Sequence, residues 1–151
     1  MSKAPGGAGR VDRVARGTRR ASRGLVVQGV YQWLVASQEP EAIDAFLREQ
    51  DAFERCDQEY FSTLLQGVLR DPTALREAFS SKLDRPIQEL SPVEHAILLL
   101  ASYEFLHVPE VPYRVIINEA IELGKSFGGT DGHKYINGVL DKLAIQLRPH
   151  G

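Results

Sequence analysis

Residues 91–107 read SPVEHAILLLASYEFLH, and this stretch decides the fold. Ser91 and Glu94 stand three apart around Pro92, the spacing of a capping box. In that arrangement each side chain satisfies a backbone amide that the first helical turn leaves unpaired. Proline at the first turn costs no hydrogen bond. Behind the cap, Ile97, Leu98, Leu99, Leu100, Ala101, Tyr103 and Phe105 leave almost no polar side. The pattern predicts a helix over roughly 92–107, enclosed by other elements on most of its faces.

The flanking segments carry the same punctuation. Glu39-Pro40 opens a short helix bearing Ile43, Phe46 and Leu47. Asp57 opens another with Phe61, Leu64, Leu65 and Val68, and Asp71-Pro72 a third with Leu75, Phe79 and Leu83. Pro112 begins a helix carrying Ile116, Ala120, Leu123 and Phe127, which Gly128-Gly129 should end as a positive-φ C-cap. Asp131 should cap a last helix with the stripe Ile136, Val139, Leu140, Leu143 and Leu147. Upstream, Thr18 is the expected cap of a first helix over roughly 19–37, striped by Val26, Val30, Trp33 and Leu34. Gly24 and Gly29 weaken that helix and suit a close approach by another. No segment alternates with period two, so the fold class is all-α, with about seven helices and short connections.

At 151 residues the chain is one domain, or one domain with a tail, and can bury a substantial core. Cys56 alone excludes an internal disulfide, in keeping with a reducing, cytoplasmic setting. The four histidines have no paired ligand spacing, so neither a metal nor another cofactor is expected. No apolar run approaches the roughly 20 residues that span a bilayer, and no hydrophobic segment follows the charged start as in a secretory signal. An Arg-rich start is also found in organelle transit peptides, but here the arginines run on into the folded region.

Charge is unevenly placed. The first 23 residues hold seven basic side chains (Lys3, Arg10, Arg13, Arg16, Arg19, Arg20, Arg23) against Asp12 alone, although the whole chain has a net charge of -2. Residues 1–17 are Gly-, Ala- and Arg-rich and are expected to form a disordered basic tail ahead of a folded domain over 18–148. Arg16, Arg19 and Arg23 share a helix face, with Arg20 beside them. Two readings stand: a phosphate-binding footprint, since guanidinium forks match phosphate geometry, or a solubilising tail. Cations at a helix N-terminus also oppose its dipole, a penalty a bound polyanion would relieve.

The run from Asp131 through His133, Lys134 and Tyr135 likewise has two readings. Asp131 is a cap and Tyr135 a partly buried aromatic, or Lys134 and Tyr135 set a cation beside a ring on which an unpaired base stacks. Asn118 and Glu119 are polar on a mostly apolar helix and should hydrogen-bond to neighbouring helices. Nothing near Glu119 or Glu122 supplies a nucleophile or metal ligand, and Gly128-Gly129 follows a helix rather than a strand, so no enzymatic constellation is present.

Several stretches together carry a resemblance. They are Arg19 to Arg23 with Gln28 to Trp33; Tyr60-Phe61 with Leu64 to Val68; Glu89 to Glu94; Val111 to Leu123; and Lys125 to Gly129 with Asp131, His133, Lys134 and Asn137 to Lys142. The chain resembles the NusB family of bacterial transcription antitermination factors. The resemblance implies an all-helical fold of two small packed bundles and a non-catalytic role. That role is binding the boxA element of ribosomal RNA leaders together with ribosomal protein NusE, so that RNA polymerase resists termination. By position it implies RNA contacts at Arg19, Arg20, Arg23, Gln28, Asp131, Lys134 and Tyr135, with Arg16 as a replacement where Ala21 and Ser22 interrupt the basic run. It implies partner contacts at Tyr31, Glu94 and Glu89. An acidic flank around Glu89 and Glu94 suits a basic ribosomal protein, and the arginines and the Lys134–Tyr135 segment are expected to form two edges of one groove. Alternatively the chain is a helical protein-interaction module without specific RNA binding. Oligomeric state stays open, a homodimer included.

Overall fold

A computed structural model describes the backbone of residues 7–127 and 131–151, and side chains from Arg19 onward. Among the described residues there are seven α-helices and no strand. They are α1 (Gly7–Ala36), α2 (Pro40–Arg48), α3 (Gln58–Arg70), α4 (Pro72–Ser80), α5 (Pro92–His107), α6 (Tyr113–Phe127) and α7 (Gly132–Leu147). Two short 3₁₀ turns, Asp51–Arg55 and Ile87–Glu89, link α2 to α3 and α4 to α5. No helix is long and apolar enough to cross a membrane among the described residues.

Most of the expected starts are present as chemistry. Ser91 Oγ accepts from the Glu94 amide at 3.1 Å, and Glu94 Oε1 accepts from the Ser91 amide at 3.1 Å. Asp57 accepts from the Tyr60 amide at 3.0 Å and Asp71 from the Ala74 amide at 3.2 Å. Two starts differ. α1 does not begin at Thr18 but continues back to Gly7, so residues 7–17, expected as a disordered tail, are helical, and residues 1–6 lie outside the described residues. Ala and Arg are strong helix formers, and extending an existing helix needs no second nucleation. Asp131 precedes α7 without a capping hydrogen bond; its Oδ1 lies 3.4 Å from Lys134 Nζ instead. The expected glycine cap at Gly128-Gly129 lies outside the described residues.

α1, α2 and α3 pack as one bundle and α4 to α7 as another, and α5 joins them. Its residues from Ala96 to Ser102, with Glu104 and Phe105, are buried, and it touches α1, α3, α4, α6 and α7. Gly29 gives the close approach expected of it. A Cβ there would stand 2.8 Å from Leu47 and 2.9 Å from Ile43 on α2, whereas one at Gly24 would meet nothing within 4 Å. Phe46, expected on the inner stripe of α2, is exposed.

The seam between the bundles is polar at one point. Arg23 on α1 is 4% exposed and Glu104 on α5 is 1% exposed. Arg23 Nε lies 3.0 Å from both carboxylate oxygens, and Nη2 lies 2.9 Å from Oε2. The Tyr60 hydroxyl on α3 donates to the same carboxylate. Burial opposes the Arg23 charge, but hydrogen bonding and attraction to Glu104 outweigh it and raise its pKa. Burial beside that carboxylate likewise pushes the Tyr60 phenol upward. On α5, His95 Nε2 accepts from Arg76 Nε at 3.0 Å, which requires a neutral imidazole.

Removing one member of a buried ion pair strands the other, at a cost of about 3–5 kcal/mol. Arg23→Ala and Glu104→Ala should each lower urea-unfolding stability by about that much, and the double variant by clearly less than the sum; additive losses would disprove the coupling. Burial, then the Arg76 charge, depresses the His95 pKa to about 4. The unfolded imidazole, near about 6.5, takes up a proton that the folded one refuses. Its contribution is therefore complete above about pH 6.5 and lost as pH falls toward about 4. The stability drop between pH 7 and pH 5 should shrink in His95→Gln; an unchanged drop would count against it.

Candidate nucleic-acid interface and partner groove

The three arginines of α1 with described side chains, Arg19, Arg20 and Arg23, lie along the edge where it meets α3, α5 and α6, and each faces a carboxylate. Arg19 Nε lies 3.6 Å from Asp57 Oδ2, with its guanidinium 4.0 Å over the Tyr60 ring. Arg20 donates to Glu119 on α6 through Nε at 3.1 Å and Nη2 at 2.8 Å, and that pairing raises its pKa. Arg23 is turned inward onto Glu104, with Nη1 also 3.8 Å from Glu119. Arg23, expected at RNA, thus spends Nε and Nη2 on Glu104, while its guanidinium also lines the cavity beside Arg19, Arg20 and Glu119. The sequence held the signal, because Arg23 precedes Val26 and Val30 by three and seven residues and so continues the apolar stripe. Ser22 is no missing arginine contact. It is buried, and its Oγ donates to the Asp57 carbonyl at 2.7 Å. Arg16 lies in α1 among residues whose side chains are outside the described set.

Two turns further along α1, Gln28 and Tyr31 line a groove of about 390 Å³ with Phe46, Val93 and Phe127. Tyr31, Phe46 and Phe127 are exposed there. Gln28, expected at RNA, thus shares its surroundings with Tyr31, expected at the partner. Glu94 stands at the adjoining start of α5, occupied by the capping box, and a Cβ on Gly132 would lie 3.4 Å from its Oε2. Glu89 is exposed on the 3₁₀ turn that precedes it.

The third cluster is the start of α7. Lys134 and Asp131 are exposed and paired with each other. Tyr135 is half-buried, and the Arg85 guanidinium lies 4.0 Å over its ring. Arg85 in turn donates to Asp84 at 3.0 Å. Burial pushes the Tyr135 phenol upward. Sequence reasoning missed Arg85, because nothing local in the α4–α5 connection points to a ring that follows it by fifty residues.

At the far end of α7, Arg148 donates to the carbonyls of Val111 at 2.9 Å, Phe105 at 3.2 Å and Glu104 at 3.4 Å, the last being the residue that pairs with Arg23. At a rise of about 1.5 Å per residue, roughly 20 Å of α7 separates that end from Lys134 and Tyr135. Among the described residues, no hydrogen bond, ion pair or ring contact links the α1 arginines to Asp131, Lys134 or Tyr135. The α1 arginines and the start of α7 are thus two stations whose described side chains do not touch each other.

Comparison with known proteins closes the identification. The NusB family matches residues 20–145. Over 134 residues the chain is 56% identical to transcription antitermination protein NusB of Burkholderia mallei (strain SAVP1) and of Burkholderia pseudomallei (strain K96243), covering 89% of this chain and 92% of each relative. T. maritima NusB superposes with a TM-score of 0.73 at 28% identity, over 83% of this chain and 89% of that one. A crystal structure of antitermination factors NusB and NusE with double-stranded RNA shares the fold, with a TM-score of 0.72 at 20% identity over 83% and 95% of the two chains. With a match reaching from the arginines of α1 into α7 and relatives identical at more than half the aligned positions, the chain belongs to the NusB family.

Proposed function

We propose that this chain is a cytoplasmic transcription antitermination factor that binds boxA-containing single-stranded RNA of ribosomal RNA leaders together with ribosomal protein NusE. In that complex it helps RNA polymerase resist termination. The observation that carries the reading is the close relationship to proteins named for antitermination, aligned across nearly the whole folded chain. The geometry supports the division of labour. Arg19 and Arg20 at one station and Lys134 with the Arg85–Tyr135 stack at the other offer cations beside flat surfaces, the chemistry that holds unpaired nucleotides. A strand touching both stations runs extended across the face between them. The groove with Tyr31, Phe46 and Phe127 offers the aromatic anchors typical of a protein contact.

Fluorescence anisotropy with a labelled boxA-like strand tests the RNA half. Arg19→Ala and Lys134→Ala should each weaken binding and flatten the plot of log affinity against log salt by about 0.7 per lost phosphate contact. Unchanged affinity and slope in both variants would remove these residues from the site. Tyr31→Ala should reduce NusE affinity roughly tenfold in a titration while RNA binding by the free chain stays as it was. Equal affinity for boxA and scrambled RNA, with NusE present, would favour a protein-interaction module instead.

A further inference from the structure

A cavity of about 500 Å³ lies between α1 and the first half of α6, where Arg19, Arg20 and Arg23 face Glu110 and Glu119 beside an apolar wall of Pro112 and Val115. Its polar end is a fork: two parallel N–H groups of Arg20 hold two oxygens of Glu119 at 3.1 and 2.8 Å. The same fork fits two oxygens of a phosphate. The Arg20 side chain is 64% exposed, while that of Glu119 is 14% exposed. An oxyanion from solvent therefore reaches the arginine, and the carboxylate holding it comes from the wall. Glu119 has a second cation to fall back on, since Arg23 Nη1 lies 3.8 Å away.

We propose that this cavity is a phosphate subsite for one nucleotide of the bound RNA, kept filled in the free protein by Glu119, whose carboxylate the incoming phosphodiester replaces on Arg20. The inference rests on the RNA-binding reading above and adds to it the residue that sets how readily the site opens. Pro112 and Val115 supply an apolar wall against which the ribose or base of that nucleotide lies. With Arg19 paired to Asp57 and Arg20 to Glu119, the lip is locally neutral, so a polyanion drifting past gains little there. A strand already held elsewhere presents its next phosphate at high effective concentration and displaces the carboxylate. Glu119 thereby favours strands that fit the whole surface over those that merely carry charge.

The test is Glu119→Gln in the full chain, titrated with boxA-like and scrambled single strands across a salt series. The amide keeps the size of the side chain and removes its charge. Affinity should rise by roughly two- to fivefold near 0.1 M salt, the range expected for an exposed ion pair. The salt slope should stay as it was for the boxA-like strand, whose phosphate sits on Arg20 in both proteins, and steepen by about 0.7 for the scrambled strand, one further phosphate neutralised. The gain should be larger for the scrambled strand and should vanish when Arg20→Ala is added. Affinity for both strands unchanged in Glu119→Gln, or a gain that survives Arg20→Ala, would overturn the subsite. Should Glu119→Gln melt early, Arg20→Lys decides. That variant keeps the charge and loses the fork, so weaker binding at an unchanged slope supports the subsite, and binding like the parent chain overturns it. RNA binding that Lys134→Ala still weakens, alongside silent Glu119→Gln and Arg20→Lys, removes the subsite alone. No RNA binding by the parent chain removes the broader reading with it.

Discussion

A guanidinium and a carboxylate taken out of water together hold the seam between the two bundles. Each would cost several kcal/mol to bury alone, so Arg23 on α1 is tolerable only where Glu104 on α5 meets it. Tyr60 on α3 completes the arrangement by donating to the same carboxylate. Three helices from two bundles are thereby set in a single register, which apolar packing alone, being non-directional, specifies less sharply. Arg148 adds a tether from the far end of the chain, donating to the backbone of Glu104 and its neighbours as α5 ends. Much of the rest of the molecule is arranged around that one residue of α5.

Helix starts were legible in the sequence where the chemistry is local. Ser91 with Glu94, Asp57 and Asp71 each act within three residues of themselves, and the structure contains every one of those bonds. The features that were not legible depend on distant partners or on continuity. Nothing near Gly7 marks a helix start, because α1 simply fails to stop. The carboxylate of Asp131 had a choice between an amide and Lys134, and a pattern of letters does not weigh them. The burial of Arg23 follows from its place on the stripe with Val26 and Val30, against which its charge alone argues. Glu104, a carboxylate amid the buried residues of α5, was the complementary clue that a cation had to be buried opposite it.

The candidate site shows why a count of charges is a poor map of potential. Seven basic residues at the start of the chain suggest a strongly positive lip, yet Arg19, Arg20 and Arg23 each face a carboxylate from another part of the chain. Those carboxylates, at positions 57, 104 and 119, belong to the acidic body that the sequence sets against the basic head. Folding brings the two together at these three arginines, so geometry as well as charge distinguishes one polyanion from another there. At the start of α7 the same holds for Lys134 with Asp131 and for Arg85 with Asp84.

One helix, α1, carries both the arginines at 19 and 20 and the groove residues Gln28 and Tyr31. An unbroken helix is a ruler: eight to twelve residues fix the two stations roughly 12–18 Å apart, and each residue adds a set angle of about 100°. A single residue inserted between them would swing one station a quarter-turn or more around the axis while leaving both sets of side chains intact. Length and phase of this rod, more than the identity of any side chain on it, therefore dictate how a protein seated at one end is aligned with a strand gripped at the other.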